Sequence, residues 1–144
     1  SDASGEFELD SLINLKHWRE KPHTVVASCK RLGPNGVCLT RYLVVSKSHV
    51  MDLELIAAKP NVAKLKSYHA LDDLQSVKVP PEDPEMMTLI FSTKDSPKPR
   101  GYVYLIQSEI RAECVLLLAS AAQETRVERA GGGLASEEEG GRGG

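Results

Sequence analysis

The feature that most constrains this chain is one amphipathic stripe near its C-terminal end, preceded by segments that alternate like β-strands. From Ser108 onward, Ile110, Cys114, Leu117, Leu118 and Ala121 recur at helical spacing and share one face. Just upstream, residues 88–92 and 102–107 read as strands. A lone helix with a single apolar stripe has to bury it, and the nearest partner is the apolar face of those strands. The expectation is a small β-structure closed by a terminal helix.

The rest of the chain supplies more strands. Residues 24–30 are rich in β-branched side chains, and Gly33-Pro34-Asn35-Gly36 is a cluster of turn formers, so this run should pair with residues 37–45 as a hairpin. Ser46-Lys47-Ser48 is a polar break. In residues 50–57, Met51, Leu53 and Leu55 alternate against Asp52 and Glu54, the period-two pattern of a half-buried strand. Lys59-Pro60-Asn61 reads as the next break, followed by strands over 64–70 and 74–79 across a bend at Asp72 and Asp73. The proline-rich residues 80–85 separate these from strands over 86–92 and 101–107. Seven strands and one helix result.

Three stretches differ in character. Residues 1–21 hold Phe7, Leu9, Leu12, Ile13, Leu15 and Trp18 among acids, with partial helical periodicity ended by Pro22; they read as an extension carrying a short amphipathic helix on the domain edge. Residues 22–130 form the domain. Residues 131–144, with one leucine among glycines and glutamates, cannot bury enough apolar surface to offset chain entropy and are expected to be disordered.

Composition narrows the function classes. A chain of 144 residues, 41% hydrophobic and 26% charged, fits one soluble unit. No apolar run approaches the roughly 18 residues that span a bilayer, and the acidic, polar start is unlike a signal sequence. A start without methionine suggests a piece of something longer. Cys29, Cys38 and Cys114 lack paired spacing and sit in apolar segments, which suits buried, reduced thiols in a cytoplasmic protein. His17, His23, His49 and His69 are scattered, with no nucleophile or HExxH motif, so neither catalysis, a metal nor a cofactor is expected. A pI near 6.1 without interleaved aromatic and basic residues argues against nucleic acid.

Strand count and order, taken with particular segments, bring a family into view. Residues 38–45, Cys-Leu-Thr-Arg-Tyr-Leu-Val-Val, resemble the second strand of the pleckstrin-homology (PH) domain, where an arginine precedes an aromatic and an aliphatic run. Lys30-Arg31 is similar to the basic end of its first strand, residues 74–79 to its fifth, residues 102–106 to its seventh, and Ser108-Glu109-Ile110-Arg111 to the start of its closing helix. The resemblance implies a mainly β fold, a seven-stranded antiparallel PH-like sandwich or barrel capped by a C-terminal helix. Phosphotyrosine-binding-type and ubiquitin-binding variants of the superfold share that strand count. One departure is that Cys114 stands where the family usually carries tryptophan, so Leu117 and Leu118 must do more of the packing.

The resemblance also implies a site. Residues 21–130 carry 15 bases against 12 acids, and the bases concentrate in three connections. Lys30, Arg31 and Arg41 flank the first hairpin; Lys59, Lys64 and Lys66 follow the next link; Lys94, Lys98 and Arg100 precede the last strand. In PH domains these loops gather at one open end. Lys30, Arg31, Arg41, Lys59, Lys64, Lys98 and Arg100 are therefore the expected contacts to an anionic headgroup, phosphoinositide or phosphatidylserine. Only part of the family's headgroup motif is present, because Leu39 occupies one basic place. The expected function is a monomeric, non-catalytic adaptor domain of a larger cytoplasmic protein, recruiting it peripherally to anionic membrane lipids in signalling or trafficking. The alternative is a module that binds a protein partner.

Overall fold

The computed structural model describes residues 7–130. In chain order the elements are β1 (Leu12–Asn14), α1 (Leu15–Arg19), β2 (Val25–Leu32), β3 (Cys38–Val45), β4 (His49–Ile56), β5 (Lys59–Ala70), β6 (Leu74–Lys78), β7 (Met86–Phe91), β8 (Arg100–Leu105) and α2 (Ser108–Ala130). The strands form one antiparallel sheet in the order β1-β5-β4-β3-β2-β8-β7-β6, with β1 and β6 as its two edges. The sheet folds at β2, whose second half pairs with β3 on one side and, through Lys30 and Arg31, with β8 on the other. The expected tail at 131–144 lies outside the described residues.

Seven strands and the helix stand where the sequence pattern puts them; the eighth is a correction. Residues 12–14 form a strand, and the helix that follows is only five residues long. The free edge of β5 explains this. The Asp10 N–H donates to the Leu65 carbonyl at 2.8 Å, the Leu65 N–H donates to Ser11 at 2.9 Å, and Ile13 stands opposite Ala63. Unpaired strand-edge groups are a template for pairing, and they take this segment before a helix can. Asn14 then caps α1, its side chain accepting from the His17 N–H.

The first hairpin turns through Pro34–Gly36, with Asn35 at φ 61° and Gly36 at φ 75°, the left-handed conformation that glycine tolerates. The next turn is a second correction. It falls at Ala57 and Ala58 rather than at Lys59-Pro60-Asn61, and Pro60 lies inside β5, where the register with β4 slips between Leu55 and Ile56. A proline is tolerated in a strand at such an irregularity because no ladder bond is required of it there.

Two apolar clusters flank the first half of the sheet. The inner one lies between the two halves and under α2, and includes Leu43, Val45, Met87, Leu89, Tyr104, Ile106, Cys114 and Leu118. The outer one joins Val44, Met51, Leu53 and Leu65 to Ile13 and Leu15, with Phe7 and Trp18 packed against it. Residues 7–21 thus form a strap over the sheet's second face. Cys114 is fully buried in the tryptophan's place, with Leu118 beside it and Leu117 half-buried. Arg111 moors α2 by donating to the carbonyls of Asp83 and Met86, each at 3.0 Å.

The cysteines divide. Cys29 and Cys114 are buried, and burial, aided by the negative charges of Asp52 and Glu113 respectively, pushes each thiol up to about 12. Cys38 is exposed, against the expectation of three buried thiols, because it begins β3 beside the turn and outside the inner cluster. Ellman's reagent at pH 8 should therefore react rapidly with one thiol and reach the other two only on unfolding, since about one in 10,000 of those is thiolate at that pH. Three fast thiols would refute the packing of α2 and β2.

Candidate functional site: the basic end and the grooves of the sheet

Strand register brings the three basic connections to one end. β2 runs out at Leu32 opposite Cys38, β4 runs out at Ile56 opposite Lys59, and Arg31 stands opposite Tyr104, so the loop before Arg100 lies beyond the same end of β2. Lys59, Lys98 and Arg100 are exposed there, and Lys64 is half-buried opposite Glu54.

The first-hairpin bases divide between the two faces. Lys30 points outward, its ammonium donating to Thr40 Oγ1 at 3.0 Å. Arg31 and Arg41 turn inward onto one carboxylate. Arg41, only 8% exposed, donates to Asp52 Oδ1 at 3.2 Å, and Arg31 lies 3.6 Å from Asp52 Oδ2. The Tyr104 hydroxyl completes the group by donating to Asp52 Oδ2 at 2.7 Å. Burial drives the Tyr104 phenol well above its ordinary pKa, and the Asp52 charge adds to this. A buried carboxylate needs this company, because an unpaired charge in an apolar interior costs several kcal/mol.

Asp52 corrects the reading of β4. Its alternation is real, but the strand is buried on both faces: Met51 and Leu53 face the strap, while Asp52 faces inward and is 1% exposed. Arg41 accordingly spends its charge inside the protein. Nothing in the local pattern marks Asp52 as internal; an arginine on each of two neighbouring strands is the one available hint.

Next to this group, the His69 ring stacks on Phe91 at 4.2 Å and meets Tyr102 at 4.8 Å, while the Arg31 guanidinium lies over the Tyr102 ring, 5.0 Å from its centre. Burial lowers the His69 pKa, with Asp52 and Asp73 opposing. Among the described residues no three His, Cys, Asp or Glu side chains gather to hold a metal, and no helix is long and apolar enough to cross a membrane.

A largely apolar groove of about 230 Å³ separates β6 from α2, lined by Leu74, Val77, Val115, Leu118, Ala119 and Ala122 together with the polar Gln75 and Ser76 of β6. β6 is a sheet edge, so backbone N–H and C=O groups along one side of it have no ladder partner.

This architecture is that of a divergent PH-like fold. No protein-family model matches the sequence and no curated protein matches it, so the likeness is one of structure. It is similar to the N-terminal PH domain of human ARAP2, at TM-score 0.52 and 14% identity over 74% of this chain and 84% of that one. It is also similar to the DH/PH fragment of PDZ-RhoGEF in complex with human RhoA, at TM-score 0.57 and 14% identity over 69% of this chain and 28% of that one. The DH/PH domains of p115-RhoGEF match at TM-score 0.52 and 13% identity over 76% and 37%. The chain thus spans well under half the length of the two exchange-factor chains.

Proposed function

We propose that this domain is a non-catalytic docking module that takes an extended peptide segment of a partner protein along the free edge of β6. The observation that carries this reading is the pairing of an open strand edge with an apolar groove against α2. An added strand would satisfy the edge's backbone groups, and its alternate side chains would enter the groove, giving affinity and specificity respectively. The burial of Arg41 on Asp52 favours this reading over headgroup capture, because a guanidinium already paired inside the fold is a poor donor to an incoming phosphate.

The test starts with peptides selected from a display library on the wild-type protein. Their binding should protect β6 amides from exchange, survive a rise in salt, and be lost in Ala119→Arg, where an exposed small side chain at the groove is replaced by a large charged one. Sedimentation with phosphatidylserine or phosphoinositide vesicles should be absent or weak, because Arg31 and Arg41 are turned onto Asp52 and the exposed charge at the basic end is left to Lys30, Lys59, Lys94, Lys98 and Arg100. Salt-sensitive sedimentation, abolished by reversing those exposed bases, together with no peptide perturbing β6, would replace this reading with membrane recruitment.

A further inference from the structure

Between the end of β5 and the loop joining β7 to β8 lies a pocket of about 100 Å³. Its inner wall is made of three rings: His69, stacked on Phe91 at 4.2 Å, and Tyr102, 4.8 Å from His69. Its rim is polar, formed by Ser92, Ser96 and the exposed Arg100. None of these residues lines the β6 groove. The volume falls well below the ~300–1,000 Å³ typical of sites for whole small molecules, so what fits is one compact group rather than a ring-bearing headgroup.

The wall carries an unpaired nitrogen. His69 Nε2 is buried and has no hydrogen-bond partner among the described residues, and Ser67 Oγ, two residues earlier on the same face of β5, is likewise unpaired among them. Buried polar atoms are nearly always paired, so a ligand that supplies the partner relieves a standing cost. The rim is held in order by its own bonds: the Ser92 N–H donates to the Asp73 carbonyl at 2.9 Å, the Thr93 N–H to the Ser96 carbonyl at 3.1 Å, and the Ser96 N–H to Thr93 Oγ1 at 2.8 Å. Charge favours an anion. Asp52 is already held by Arg31 and Arg41, Asp73 lines the adjoining hollow beside Lys94, and Asp95 is exposed and outside the lining.

We propose that this pocket seats one tetrahedral oxyanion, phosphate or sulfate, as the free ion or as the end group of an ester, with Arg100 and the His69 Nε2–H donating to its oxygens and the Ser92 and Ser96 hydroxyls completing the set. Donors reaching it from β5, from the loop and from β8 surround four oxygens better than the two of a planar carboxylate. His69 then reports on the occupant. Burial lowers its pKa, and Arg100 and Arg31 add to this against Asp52 and Asp73. An anion bound at Nε2 favours the imidazolium, so the His69 pKa rises on binding and, by reciprocity, binding tightens as the pH falls through it.

The test is an NMR titration that follows the His69 ring protons and the Ser92, Thr93 and Ser96 amides as inorganic phosphate, sulfate or glycerol phosphate is added, against sodium chloride at matched ionic strength. Saturable shifts at these positions with phosphate or sulfate are expected, together with a His69 pKa that is higher in the saturated protein than in the free one. Glycerol phosphate binding as tightly as the free ions assigns the end group of an ester, and its failure alone assigns the free ion. Arg100→Gln, at an exposed position, should weaken binding about tenfold. His69→Phe keeps a ring against Phe91 while removing the nitrogen. It should weaken binding by a similar factor and remove the pH dependence of sulfate binding, sulfate keeping its own charge over that range. The proposal is overturned if neither free ion saturates beyond the chloride control up to about 50 mM. It is overturned equally if the His69 pKa is the same with and without the ion, or if Arg100→Gln leaves the affinity unchanged.

Discussion

Asp52→Ala is expected to destabilise the protein by about 3–5 kcal/mol, the cost of leaving a buried charge without its partner. The substitution strands Arg41, which is 8% exposed, and removes the acceptor of the buried Tyr104 hydroxyl. Against a typical domain stability of about 5–15 kcal/mol, that loss is large enough to populate the unfolded state. Urea unfolding measures it. The double variant Asp52→Leu with Arg41→Met should recover much of the loss, since a buried ion pair can often be exchanged for apolar side chains at little net cost. A single-variant loss under about 1 kcal/mol would mean that the pair is screened as a surface pair is, and that the interior is wetter than the packing implies.

The second large effect concerns the closing helix. Leu118→Asp should abolish cooperative folding, because it buries a carboxylate beside Cys114 with no base in the inner cluster to meet it, at a cost of several kcal/mol. Leu117→Asp should cost less, since Leu117 is only half-buried and its carboxylate has a route to water. Leu116 is 71% exposed, so Leu116→Asp serves as the control and should leave the melt nearly unchanged. Circular dichroism melts of the three variants give the ranking. A Leu118→Asp protein with an unaltered cooperative melt would show that α2 does not close the core.

The two variants probe different kinds of information. Leu118 announces itself in the sequence, because helical spacing fixes which residues share a face and a lone stripe has to be covered. Asp52 does not. Alternation along a strand separates two faces but does not say which is inside, and the rule that the polar face meets water fails once both faces are covered. Here the strap covers the second face, so Met51 and Leu53 are buried without lying in the central core, and the acid at Asp52 points into it. The same alternation sends Lys30 outward and Arg31 inward, because neighbours on a strand point to opposite faces.

What the sequence determined by itself is the set of local elements: the positions of seven strands, the turn at Pro34–Gly36 and the C-terminal helix with its buried stripe. These follow from backbone periodicity and turn chemistry, which act over a few residues. Only the tertiary structure decided that residues 12–14 pair with β5 instead of extending a helix, that Cys38 is exposed, and that Arg41 is neutralised internally by Asp52. It also decided where the β6 groove and the His69 pocket lie. Each of these depends on residues far apart in the chain competing for one free edge, one face or one charge, and no local pattern records the outcome of that competition.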